Sequence, residues 1–252
     1  MKKKILVLLC AAVLCSCSSK DKNTDDSGRA SYGCRTIDYF DYTGVIPETS
    51  AVDEYWFSDA LFLGDIRVSS LLNYSSLEEE GADVHYIPGL ELDTFETAYA
   101  ETYDGNASLS EILMNTDKQN VFLMIGLNDA AQSDFTVWRR KVKQLITDFQ
   151  KKHSRASLYL ILPYHVAELD GVPADELQER IDEIRDVMMS LGSELKVYCL
   201  DSGKAVEGDD GIVDENYVWD GIRLNQDGTD ALMDYISRHV VREELYVRKV
   251  CS

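Results

Sequence analysis

The chain has 252 residues, with 25 Lys and Arg against 45 Asp and Glu and a formal net charge of -20. Such acidity argues against nucleic acid or anionic lipid headgroups as the main partner, because phosphates would be repelled. At 45% hydrophobic, with 4 prolines and 15 glycines, the chain is neither disordered nor collagen-like, and it is long enough to bury its own core.

The first residues read as a targeting segment. Lys2, Lys3 and Lys4 form a positive region, and residues 5–14 are an apolar run too short to span a bilayer as a permanent helix. Leu14-Cys15-Ser16-Cys17 then fits a bacterial lipoprotein cleavage box, with small Ser16 before the cut and Cys17 after it. Residues 1–16 are read as a signal peptide and Cys17 as the lipidated first residue of the mature protein. This places the protein at the cell membrane on its extracytoplasmic side, held by a lipid anchor. Residues 17–30 are small, polar and charged, and form a flexible tether. A single domain follows over 31–252, opening with a Tyr- and Phe-rich extension over 31–59 that packs on the outside.

From there strands and helices alternate. A strand over 60–64 ends in Gly-Asp, and a helix is expected over 68–79. A second strand over 83–87 closes on Pro88-Gly89. After a short helix over 108–115, the nearly continuous apolar run 120–126 has the pattern of a strand covered on both faces. Phe135, Trp138, Val142, Leu145, Ile146 and Phe149 follow a helical face. The fourth strand covers 157–163. Leu177, Ile181, Ile184, Val187 and Met188 mark a helix entered through Pro173. The fifth strand is expected over 195–200, a long acidic loop over 201–219, and a last helix from Asp227-Gly228 onward. Strict alternation implies right-handed crossovers and a parallel sheet. The fold class is α/β, a flavodoxin-like three-layer α/β/α sandwich with a five-stranded parallel sheet. Ligands of such sheets bind at the carboxyl ends of the strands.

Three cysteines remain beyond Cys17. Cys199 lies in an apolar run and reads as a buried small hydrophobe. Cys34 and Cys251 stand at the two ends of the domain, where a disulfide and two free thiols are both compatible with the sequence. No Cys/His spacing suggests a zinc site.

The residues at the strand ends resemble the SGNH (GDSL) hydrolase family, in order, across residues 57–240. Gly64-Asp65-Ile66-Arg67 stands where the family has Gly-Asp-Ser. Gly89 fits its second-block glycine. Gly126-Leu127-Asn128-Asp129 matches Gly-x-Asn-Asp in full, and Asp220-Gly221-Ile222-Arg223 stands where the family has Asp-x-x-His. The resemblance implies an acyl hydrolase fold with no cofactor and no metal. It also implies that Ile66 occupies the nucleophile position and Arg223 the general-base position. In the family the serine attacks an acyl carbonyl, the histidine takes its proton and the aspartate orients the imidazole. Isoleucine has no lone pair, and arginine stays protonated. The oxyanion donors carry over as the Ile66 amide, Gly89 and Asn128. Asn128 reads equally well as an organiser of its own loop.

Substitute groups are few. Ser69 and Ser70 lie one helical turn from Ile66, displaced by about 5 Å. His165 ends the fourth strand and is a candidate base; His85 and His153 read as structural. Asp65, Asn128, Asp129 and Asp220 carry oxygens of the kind a hard cation takes, and the acidic loop lacks the ligand order of an EF-hand. The leading expectation is a non-catalytic domain that binds a glycan or an acylated cell-envelope ligand. Two others stand beside it: an atypical carbohydrate or lipid esterase with a relocated nucleophile or base, and a structural partner of another envelope protein.

Overall fold

The computed structural model describes residues 34–102, 105–132, 134–169 and 171–251; the signal segment, the tether and Cys17 lie outside the described residues. In chain order the elements are β1 (Cys34–Asp38), β2 (Ala60–Gly64), α1 (Val68–Tyr74), β3 (Asp83–Tyr86), β4 (Tyr99–Thr102), β5 (Gly105–Ser108) and α2 (Leu109–Asn115). Then come β6 (Asn120–Met124), α3 (Leu127–Gln132), α4 (Phe135–Lys152), β7 (Ser157–Leu162), α5 (Ala174–Leu195) and β8 (Tyr198–Asp201). The chain closes with α6 (Gly203–Val206), α7 (Gln226–Arg238), α8 (Glu243–Tyr246) and β9 (Val247–Cys251).

Residues 40–245 form one compact unit, built on a five-stranded parallel sheet of order β3-β2-β6-β7-β8. β2 connects toward one edge through α1, whereas β6 and β7 step toward the other through α4 and α5. Right-handed crossovers therefore place α1 on one face of the sheet and α4 and α5 on the other. The order of connections reverses between β2 and β6, so the crevice beyond their carboxyl ends is the topological switch point. Among the described residues no helix is long and apolar enough to cross a membrane.

Local chemistry explains the elements. β6 is buried from Val121 to Met124, as expected of a strand covered on both sides. Ser108 and Glu111 close a reciprocal capping box at the start of α2. Asp134 caps α4, which buries Trp138, Val142, Ile146 and Phe149 along one stripe. One row of rings crosses the sheet: Phe62, Phe122, Tyr159 and Tyr198 lie directly opposite one another on β2, β6, β7 and β8. Their centroids are 4.5, 4.5 and 5.2 Å apart in succession. The extension adds Tyr42, stacked on Tyr198 at 5.4 Å. It hydrogen-bonds through Ile46 N–H to Cys199 O and through Thr49 N–H to Arg238 O, and buries Phe40, Ile46 and Phe57.

Several expected boundaries shift. The helix expected over 68–79 stops at Tyr74, because the Ser75 hydroxyl turns back onto Leu71 O and competes with the next helical turn. The strand expected over 195–200 covers Tyr198–Asp201 instead; α5 runs on to Leu195, and Lys196 ends it in a left-handed conformation at φ 55. The antiparallel pair β4–β5 and the short helix α3 were not expected. The acidic stretch 201–219 is not all loop, since it contains α6 and a 3-10 turn over Glu215–Tyr217.

The second unit comprises the described residues up to Tyr39 and from Tyr246 onward. In it β1 pairs antiparallel with β9, Cys34 opposite Cys251, and the ladder continues through Tyr39 N–H to Tyr246 O. The side chains of Cys34 and Cys251, on which a disulfide would depend, lie outside what is described. Cys199 is buried and free.

Candidate functional site

The site is assembled from the ends of β2, β3, β6 and β7 and the loop before α7. β2 and β6 approach tightly at Gly64, where a Cβ would stand 1.9 Å from Met124 O. Only glycine fits there. Asp65 N–H then donates to the same carbonyl at 2.9 Å, and the chain turns through Ile66 into α1. Ile66 is half-buried, and its carbonyl accepts the Ser69 hydroxyl at 2.6 Å.

Asp65 is wholly buried, and so is Arg67. Arg67 donates from Nε to Asp65 Oδ1 at 2.8 Å, from Nη2 to Oδ2 at 2.7 Å and from Nη2 to Ile125 O at 3.2 Å. Burial alone would lower the guanidinium pKa, but the carboxylate beside it more than offsets this and the value is raised. The same guanidinium lies 5.7 Å from the centre of the Tyr164 ring. Burial holds the Tyr164 phenol well above its ordinary range, so it remains a donor, and it bonds Ile222 O. Asp65, Arg67, Tyr164 and Ile222 thus link the loop after β2 to the loop before α7.

The end of β3 is a turn over 87–90 with Leu90 N–H on Ile87 O. Pro88 takes its second position and exposed Gly89, at φ 68, its third, as a type II turn requires. After β6, Gly126 has φ 100, and a Cβ there would stand 2.8 Å from Ile184 Cγ2. Asn128 lies in the first turn of α3 with its Oδ1 buried and unpartnered among the described residues. Asp129 Oδ1 accepts Leu92 N–H at 3.0 Å.

Asp220 and Arg223 bind each other. Asp220 Oδ2 accepts Arg223 Nε at 2.8 Å, while Oδ1 accepts the backbone N–H of Ile222 at 3.2 Å and of Arg223 at 2.8 Å. Partial burial works to raise the Asp220 pKa, but these donors together prevail and lower it. Beside the pair is a cavity of about 280 Å³ lined by Ser69, Ser70, Asn73, Tyr74, Trp219, Arg223 and Leu224. Ser70 is buried and its hydroxyl has no partner among the described residues. Larger hollows of about 400 and 440 Å³ lie elsewhere and include no residue of the four motif blocks.

His165 is occupied. Its Nδ1 lies 2.9 Å from Glu207 Oε1 and its Nε2 3.1 Å from Asp182 Oδ1. The bond to Glu207 is the main cause of its raised pKa. It does not line the cavity with Ser69 and Ser70. His153 bonds Met114 O through Nε2, and His85 is half-buried on β3. Among the described residues no group of three His, Cys, Asp or Glu is placed to hold a metal ion. Sequence reasoning places Arg67, Tyr164 and Trp219 at the carboxyl edge of the sheet without a role, and misses Tyr74. The available signal was adjacency: Arg67 stands two residues from Asp65, and Trp219 directly precedes Asp220.

Comparison with known proteins fits this geometry. Among solved structures, a GDSL-like lipase from Bacteroides thetaiotaomicron superposes with a TM-score of 0.55 at 14% identity, covering 70% of this chain and 84% of that one. An acetylxylan esterase from Geobacillus stearothermophilus superposes with a TM-score of 0.51 at 16% identity, covering 71% and 92%. At these identities the likeness concerns the fold. No curated protein matches the sequence. The sequence model of the GDSL-like lipase/acylhydrolase family matches residues 81–231, more than half of the chain, and the protein belongs to that family.

Proposed function

We propose that this chain is a non-catalytic member of its family. In this reading it is a lipoprotein, anchored through Cys17 on the extracytoplasmic side of a membrane, that binds a glycan or an acylated cell-envelope ligand at the carboxyl edge of its sheet. The Asp220–Arg223 pair carries the reading. A carboxylate that would orient a histidine is engaged by a guanidinium and two backbone donors, and the guanidinium cannot accept a proton at physiological pH. Ile66, on the other strand end, offers no nucleophile. Gly89 and Asn128 remain as candidate donors to a ligand carbonyl.

A relocated esterase has less support. The Ser69 hydroxyl is committed to Ile66 O, and the cavity that Ser70 lines holds no side chain able to serve as a base. His165 is held between two carboxylates. The decisive experiment is incubation of the purified protein with p-nitrophenyl acetate and with a serine-reactive fluorophosphonate probe. Neither hydrolysis above buffer nor labelling is expected. Robust turnover abolished by Ser70→Ala or His165→Ala would replace this reading with the esterase.

A further inference from the structure

Resting on the reading as a binding domain, we propose that the cavity beside Arg223 holds a saccharide bearing a carboxylate. The sugar ring lies against Trp219 and the carboxylate on the open edge of the Arg223 guanidinium.

Three independent features of the cavity converge on this chemistry. The first is an aromatic platform. Trp219 is 66% exposed and stacks on Tyr74 at 6.5 Å with 29° between the planes. An indole left this open presents an apolar face that suits the C–H face of a pyranose. The second is the Ser70 hydroxyl, 1% exposed and without a partner among the described residues. A buried polar group in that state is satisfied by a ligand or a water entering the cavity it lines. A sugar hydroxyl supplies both donor and acceptor, and the Asn73 amide lines the same space.

The third feature selects an acid over a neutral sugar. Arg223 uses Nε and its backbone N–H on Asp220, whereas neither Nη has a partner among the described residues. The free edge of the guanidinium is a planar fork that matches a carboxylate. No Asp or Glu side chain lines this cavity, although the chain carries 45 of them. Two larger hollows, by contrast, are lined by Glu54, Glu80, Asp230 and Asp234 in one and by Asp93, Glu96 and Asp148 with Lys141 in the other, and in a third, of about 660 Å³, Glu48 and Asp234 stand with Lys204 and Arg238. The first two carry an excess of carboxylates that disfavours an acidic ligand, and in the third the Arg238 guanidinium is already held by Asp234, whereas the free edge of Arg223 faces this cavity. Asp220 offsets part of the Arg223 charge, so selectivity comes from the fork and not from a strong positive field.

The test is titration calorimetry on the isolated protein. The probes are trisaccharides of glucuronate, galacturonate and mannuronate, with the neutral glucose, galactose and mannose trisaccharides as counterparts. At least one acidic trisaccharide is expected to bind about tenfold tighter than its counterpart, a factor large enough to read directly. Arg223→Gln should erase that preference and leave the weaker neutral binding, and Arg223→Lys, which keeps the charge without the fork, should restore only part of it. Trp219→Ala should abolish binding of both kinds, and Trp219→Phe should retain it. Thermal melts establish that each variant is folded. Equal binding of acidic and neutral sugars, a preference that survives Arg223→Gln, or no binding of any acidic trisaccharide would overturn the proposal. Hydrolysis of p-nitrophenyl acetate is measured on the same samples. Turnover there would overturn the binding-domain reading, whereas silent samples that bind both sugar classes equally would overturn only the carboxylate.

Discussion

Arg67 sets Nε and Nη2 against the two carboxylate oxygens of Asp65 at 2.8 and 2.7 Å, with both side chains out of contact with solvent. Two charges taken fully out of water are tolerated only because each neutralises the other, and Ile125 O satisfies one further donor. The pair ties the turn after β2 to the turn after β6, the two sides of the switch-point crevice. Arg67→Met is expected to lower unfolding stability by about 3–5 kcal/mol, because it strands the Asp65 carboxylate. Asp65→Leu combined with Arg67→Met should cost less than Arg67→Met alone. Urea denaturation of the two variants measures this; additive losses would remove the ion pair as the cause.

Restoring the family's chemical groups tests how much of the site is intact. Ile66→Ser together with Arg223→His should yield measurable hydrolysis of p-nitrophenyl acetate, with Asp220 freed to hold the new imidazole. Each single change should gain little, since nucleophile and base act as a unit. A rate for Ile66→Ser alone equal to that of the double variant would show that Arg223 does not stand where the base belongs.

The proposed lipid anchor has its own test. In cells fed a labelled fatty acid, the wild-type protein should carry label and Cys17→Ala should not. The variant should melt at the wild-type temperature, because a polar tether contributes no core. Undiminished label in Cys17→Ala would remove the lipoprotein assignment.

His165 gives a signed pH dependence. Glu207 raises its folded-state pKa above the ordinary value near 6.5. A raised pKa contributes stability that is complete below the unfolded value and lost as pH rises through the folded one. Wild-type stability should therefore decline more than that of His165→Gln between about pH 6 and about pH 9. Unfolding midpoints at the two pH values check it, and parallel profiles would show that the bond to Glu207 does not depend on charge.

Cys199 is predicted to be inert in the native protein. Burial pushes its thiol up to about 12, and a Cβ on Gly192 would stand 2.5 Å from its sulfur. A thiol reagent should reach it only through global unfolding, with a rate that rises as denaturant is added. Peptide-resolved labelling distinguishes it from Cys34 and Cys251. Rapid native labelling would mean that the β8 edge opens locally.

The sheet is legible in the sequence because β2, β6 and β7 are short apolar runs that end at Gly64, Gly126 and Pro163. The helix over Phe135–Lys152 shows its buried stripe directly. What escapes is instructive. α3 begins inside the Gly126–Asp129 motif, whose polar residues read as loop. β4 and β5 carry small and polar residues without clear alternation. Helix α1 ends early through a serine hydroxyl, a competition that periodicity does not register. Arg67 is given no role by the motif it stands in, and only the fold reveals that it accompanies Asp65 into the interior. The Asp220–Arg223 contact was accessible from spacing, since three residues bring such side chains together around a turn. The role of Trp219 and Tyr74 was not, because Tyr74 ends α1 and Trp219 stands in the loop before α7, far apart in the chain.

The row of rings across the sheet separates what can vary from what cannot. Phe62, Phe122, Tyr159 and Tyr198 align four strands at one level, and a slip of one residue would turn any of these rings to the opposite face. Four positions beyond the row stand Ile66 on one strand end and Gly126 on its neighbour. The height of both loops is thus set from beneath, by the rings of the sheet. A serine or an isoleucine at position 66, and a histidine or an arginine at 223, would rest on the same platform. Such a scaffold lets a lineage exchange a reaction for a recognition surface by point substitution, without first rebuilding the domain that carries it.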